Sequence, residues 1–111
     1  MNDAPHAAVD FILKNAPKYA KAKSSRVYIE EFRKSKKALL MQQALLKGVN
    51  TTAAQERDAY ADLEYQQLLQ GLAAAIEEEE TLKWQLTAAQ LRVDIWRSEN
   101  ANNRFIDRAT T

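Results

Sequence analysis

YQQLLQGLAAAIEEEETLKWQLTAAQLRVDIWRSENANN, residues 65–103, is the stretch whose reading decides the fold. Laid on a seven-residue repeat with Tyr65 at position a, its a/d positions read Tyr65, Leu68, Leu72, Ala75, Glu79, Leu82, Leu86, Ala89, Val93, Trp96, Asn100 and Asn103. Nine of these twelve are apolar, no Pro interrupts the run, and its one Gly, Gly71, lies off the seam. The spacing predicts a single helix of roughly 58 Å at about 1.5 Å per residue. A helix with one apolar stripe is not stable alone in water, so the stripe must be covered by another part of the chain, a second copy or a different partner.

The rest of the chain supplies the first cover. Two Gly and two Pro in 111 residues leave little material for hairpin turns, and the abundance of Ala, Leu, Gln, Glu and Lys favours helix throughout. Residues 4–15 are expected as a short helix, with Ala8, Val9, Phe11 and Ile12 on its apolar side. Pro17 should end it, since proline lacks the donor that a helix interior needs. A second helix is expected over 17–47, its apolar side formed by Tyr28, Ile29, Phe32, Leu39, Leu40 and Leu46, with Lys47 and Gly48 as the stop. Thr52-Ala53-Ala54-Gln55 has capping-box spacing and opens a short helix over 53–60. Asp62 caps the long helix, expected over 62–103 with a break near Ala61, one continuous helix from Ala53 being the alternative. The architecture is all-α: one domain, an elongated antiparallel helical hairpin of coiled-coil type with a short N-terminal helix.

Charge gives this hairpin a register. Lys and Arg outnumber Asp and Glu ten to four in residues 1–47 and are outnumbered eight to one in residues 48–80; residues 81–111 hold five against three. With the turn near residue 56, Arg33-Lys34-Ser35-Lys36-Lys37 faces residues 75–79, and Glu77 to Glu80 neutralise it with Glu79 on the seam. Exposed ion pairs contribute only about 0–1 kcal/mol each, so their role is to specify alignment.

Chemistry is sparse. No Cys is present, which excludes disulfides and thiolate sites. Four successive carboxylates point around the whole circumference of a helix and make no metal site. His6, the single His, has no nucleophile or carboxylate at an interpretable spacing. The chain is therefore expected to be non-enzymatic, with no catalytic residue, metal or cofactor. No apolar run reaches membrane-spanning length and no signal-peptide pattern opens the sequence, so the expected place is the cytoplasm, away from membranes.

Two kinds of contact remain. At the open end of the hairpin Lys14, Lys18, Lys21, Lys23 and Arg26 are expected to meet Arg92, Arg97, Arg104 and Arg108. Trp96 lies nearby, and together they form a basic end able to hold phosphates and stack the bases of single-stranded DNA. Along the long helix Leu68, Leu69, Leu72, Ile76, Leu82, Leu86, Val93 and Trp96 form a stripe wider than one helix covers. A homo-oligomer, dimer or tetramer, is expected from it, with Asn100 and Asn103 as polar register devices. Trp84, at position f, stands outside the seam.

The strings Ala20-Lys21-Ala22-Lys23, Arg26-Val27-Tyr28-Ile29-Glu30-Glu31-Phe32-Arg33-Lys34-Ser35-Lys36-Lys37 and Ala88-Ala89-Gln90-Leu91-Arg92-Val93-Asp94-Ile95-Trp96-Arg97-Ser98 resemble segments of small helical proteins of tailed bacteriophages. The resemblance implies an accessory protein of phage DNA replication or recombination, working in the host cytoplasm and binding nucleic acid. The other reading of the same residues is a helical interaction module that binds a viral or host protein without nucleic acid.

Overall fold

The computed structural model describes residues 4–110. Its elements are α1 (Ala4–Leu46), α2 (Thr52–Ala61) and α3 (Leu63–Thr110), and among the described residues only 47–51 and Asp62 lie outside helices. The all-α helical hairpin expected from the sequence is the fold. The single domain expected from length divides into two compact units, residues 4–20 with 80–110 and residues 21–79. In each unit a segment of α1 packs antiparallel against the returning arm.

The break at Pro17 is not present: α1 runs through it. The reason lies in the face that Pro17 occupies. The covered positions of this segment are Ala8, Ile12, Asn15 and Tyr19, while Pro17 is exposed on the opposite side. Its missing donor therefore frees a carbonyl, that of Leu13, on the side where water is near, and Leu13 is itself exposed. Just before it, the Asn15 side-chain amide donates to the Phe11 carbonyl at 2.9 Å and reinforces the turn. The separate N-terminal helix and the helix beginning at residue 17 are thus one element.

The stop at Gly48 is as expected. Gly48 has φ 99°, the left-handed conformation in which glycine carries no Cβ penalty. Gly48 N–H donates to the Leu45 carbonyl at 3.0 Å and Val49 N–H to the Ala44 carbonyl at 3.0 Å, which satisfies the last turn of α1. The cap of α2 falls one residue earlier than the sequence suggests. Thr51, not Thr52, accepts from Ala54 N–H at 3.2 Å, and the Gln55 amide reaches back to the Val49 carbonyl at 2.9 Å instead of closing a capping box. Asp62 does separate two helices: its N–H closes α2 on the Ala59 carbonyl, and its carboxylate accepts from Tyr65 N–H at 3.2 Å to open α3. The end expected at residue 103 is passed, and α3 continues to Thr110.

The seven-residue register of α3 is visible in its burial. Tyr65, Leu72, Glu79 and Ala89 are buried; Leu68, Ala75, Leu82, Leu86, Val93, Trp96 and Asn100 are half-buried. Of the seam, Asn103 alone is exposed. On α1 the matching series is Ala8, Ile12, Asn15, Tyr19, Ala22, Arg26, Ile29, Arg33, Lys36 and Leu40, each buried or half-buried, again at alternating spacings of three and four. The apolar side expected on this helix is corrected accordingly. Ile29 and Leu40 face inward, but Tyr28, Phe32, Leu39 and Leu46 are exposed, as are Val9 and Phe11. Buried apolar side chains are mostly alanines: Ala8, Ala22, Ala44, Ala59 and Ala89, with Tyr65 and Leu72. Small residues let helices approach closely, yet a buried methyl contributes only about 0.8 kcal/mol against roughly 1.5–3 kcal/mol for a buried Leu. The large apolar groups stand outside.

Candidate functional site

The second unit holds the ionic part of the molecule. Glu79 is the one buried charged residue among those described, 7% exposed. Arg26 grips it with a two-pronged fork, Nη2 to Oε1 at 3.1 Å and Nε to Oε2, while Nη1 takes Glu30 at 2.9 Å. Glu79, and after it Glu30, hold the Arg26 guanidinium well above its ordinary range. Toward the turn, Lys36 pairs with Glu64, and Lys37 with Glu56 at 3.5 Å. Lys37 also lies 4.8 Å from the centre of the Tyr60 ring.

These contacts correct the expected register. The chain reverses at residues 47–51, because Gly48 ends α1 and Thr51 already starts the return arm; it does not reverse near residue 56. Arg33 to Lys37 therefore face α2 and the start of α3, not Glu77 to Glu80. Lys34 bonds Glu31 on its own helix at 3.2 Å. Glu79 does meet a cation from the seam, but the cation is Arg26, which the sequence had assigned to nucleic acid.

The residues expected at the basic end are divided between the two units. Lys14 and Lys18 are exposed in the first unit and Lys21 and Lys23 in the second, and Arg26 is occupied by carboxylates. In the first unit Ala7, Ala8 and Phe11 share a groove with Gln85, Ala88, Ala89 and Arg92; Ile12 and Tyr19 share another with Lys83, Leu86, Thr87 and Gln90. Leu86 thus lies opposite Ile12, and Arg104 falls about 27 Å further along α3, past Ala4 where α1 begins. Arg97, Arg104 and Arg108 are exposed there and do not converge with Lys14 and Lys18. Arg92 borders the groove of Ala8 and Phe11, and Trp96 is half-buried on the seam.

The stripe assigned to oligomerisation also changes place. Leu68, Leu72, Leu82, Leu86, Val93 and Trp96 are on the seam and buried or half-buried, and Leu69 is half-buried beside it; Ile76 is 40% exposed. What stays open in the first unit is the outer side of α3, one flank of which, at Ala88, borders the groove of Ala8 and Phe11. Trp84, Ala88, Leu91, Ile95, Ser98, Asn102 and Phe105 follow one another at alternating spacings of four and three, all exposed. Trp84 is 63% exposed, Leu91 54%, Ile95 57% and Phe105 70%. This second seam follows the f and c positions of the same repeat, of which the sequence sets apart Trp84. In the second unit Tyr28 and Phe32 stack on the outer face of α1 with ring centres 6.0 Å apart, in line with exposed Leu39 and Leu46.

Among the described residues no group of three or more His, Cys, Asp or Glu is placed to hold a metal, and no helix is long and apolar enough to cross a membrane. Comparison of the chain with protein-family models, with curated proteins and with solved structures finds no match.

Proposed function

We propose that this chain is a non-enzymatic helical interaction module whose outer α3 face, from Trp84 to Phe105, seats a partner helix, first of all that of a second copy. The observation that carries this reading is the second heptad seam, exposed along the outer side of α3. Scattered surface apolar residues need no explanation, but large ones at coiled-coil spacing form a surface that another helix fits. Charge favours the antiparallel alignment. Placing Ile95 beside Ser98 of the second copy, and Ala88 beside its Phe105, brings Arg92 to Glu99 and, by the two-fold symmetry, Glu99 to Arg92. A parallel alignment sets Asp94 beside Glu99, carboxylate against carboxylate. Ion pairs of this kind select orientation more than they add affinity.

Sedimentation of the wild-type chain and of the Leu91→Glu/Ile95→Glu double variant tests the proposal. The wild type should self-associate at micromolar concentration and the variant should be monomeric with unchanged helicity, since neither side chain belongs to the a/d seam. A wild type that stays monomeric, or a variant that associates as before, overturns it. The second reading, a phage accessory protein binding single-stranded DNA, is supported by the exposure of Lys14, Lys18, Lys21 and Lys23. Under that reading a labelled oligonucleotide binds at low salt, and replacing these lysines by Ala flattens the salt dependence by roughly 0.7 in slope per lost phosphate contact.

A further inference from the structure

Where Asp62 interrupts the second arm, a cleft of about 560 Å³ opens between α1, the end of α2 and the start of α3. Arg33, Lys34 and Lys37 line it from α1; Tyr60, Tyr65, Gln66 and Leu69 line it from the other arm. No carboxylate is among these lining residues. Glu31 and Glu56, which hold Lys34 and Lys37, stand outside the lining, and half-buried Arg33 carries no ion pair among the described residues. A guanidinium in that position is a fork without a planar anion.

The rest of the lining is aromatic and apolar. Tyr65 is buried and Leu69 half-buried, and Tyr60, 43% exposed, leans on Tyr65 with ring centres 5.6 Å apart at 60°. The Gln66 amide nitrogen donates to the Tyr60 carbonyl, which leaves its oxygen as an acceptor at the same wall. The volume falls in the range of small-molecule sites, and the combination is an apolar wall with a cationic rim and one oriented acceptor.

We propose that this cleft binds a nucleotide, free or as one unit of a single strand, with its phosphate on Arg33 and Lys34 and its base against Tyr60 and Leu69. Phosphate takes the guanidinium fork in a bidentate manner, and a base offers both a stacking face and donors for the Gln66 oxygen. The site lies in the second unit and does not depend on the α3 seam of the first, so the two proposals stand or fall separately.

Titration of the isotope-labelled full chain followed by amide NMR is the test, with adenosine monophosphate, adenosine, inorganic phosphate, glutamate and a short oligothymidylate as probes. Adenosine monophosphate should bind in the millimolar range or tighter, with shifts confined to residues 31–37 and 60–69. Adenosine and phosphate should each bind more weakly. Lys34→Ala, at an exposed position that leaves the fold intact, should weaken nucleotide binding roughly tenfold, and Tyr60→Leu should weaken it while leaving phosphate binding unchanged. An oligothymidylate that binds tighter than the mononucleotide, with steeper salt dependence, identifies the unit as part of a strand; equal or weaker binding identifies it as free nucleotide. No shifts, shifts elsewhere, or equal binding of glutamate or inorganic phosphate overturn the proposal.

Discussion

In the second unit a buried carboxylate is gripped by Arg26 and Lys36 and Lys37 reach across to Glu64 and Glu56, whereas in the first unit the facing segments meet through Ala8, Ile12, Tyr19, Leu86 and Ala89. The same two long helices run through both. Charge fixes alignment where the seam of α1 carries Arg and Lys, and shape fixes it where the seam carries small and apolar residues. The cost of an unpaired partner is correspondingly unequal. A buried ion loses everything when its counter-ion is removed, while apolar packing spread over several side chains has no single contact to lose.

The largest effect is therefore expected at Glu79. Glu79→Ala leaves Arg26 without its main acceptor, and the melting temperature should fall by roughly 10 °C. Hydrogen exchange should show the loss first in residues 21–79. Replacing both partners by apolar residues, Arg26→Met with Glu79→Leu, should recover much of the stability, because desolvation of the two ions is then removed as well. If the single variant melts like the wild type, or both units lose protection together, the contrast between an ionic and an apolar unit is wrong.

The opposite sign is expected in the first unit. Pro17 points outward from the seam, so Pro17→Ala restores a helical hydrogen bond and removes no packing. An interior Pro costs about 3 kcal/mol relative to Ala, offset by about 0.4–1 kcal/mol because Pro also restricts the unfolded chain. A net gain of about 2 kcal/mol in chemical denaturation should follow. A loss would mean that Pro17 sets a bend on which the packing of Ile12 and Tyr19 depends.

How these features read in the sequence follows the same division. The α3 seam was legible down to the exposed Asn103, because nine apolar residues recur at one period. The α1 seam was not, since Asn15, Arg26, Arg33 and Lys36 occupy inward positions while Tyr28, Phe32, Leu39 and Leu46 draw the eye to the outer face. Glu79 was legible as a seam carboxylate in need of a cation. Its partner is Arg26 and not the Arg33–Lys37 run because the positive φ of Gly48 places the reversal earlier than residue 56. The cleft beside Tyr60 could not be read at all: it depends on three elements meeting where Asp62 breaks one of them.

A smaller effect tests that reversal. A Cβ added at Gly48 meets open space, so Gly48→Ala is penalised only by its φ of 99° and should cost about 1 kcal/mol. Neutral behaviour would imply that the turn adopts another conformation and that the register of the second unit is not anchored there.

The smallest effect concerns Lys37, which the Tyr60 phenol and then Glu56 hold above the ordinary lysine value of 10.5. A group whose pKa is raised by folding contributes fully below its unfolded pKa and loses that contribution as pH rises through its folded pKa. The stabilisation from Lys37 should therefore be constant from neutral pH to about 10.5 and decline above it. Lys37→Met removes the charge but keeps an apolar stem of similar reach over the Tyr60 ring. The difference in melting temperature between wild type and variant should be small and flat up to about pH 10, then shrink toward zero. A difference that disappears as pH falls instead would place the contact on a carboxylate's titration and not on the ammonium's, and the second unit's charge network would need to be redrawn around Glu56.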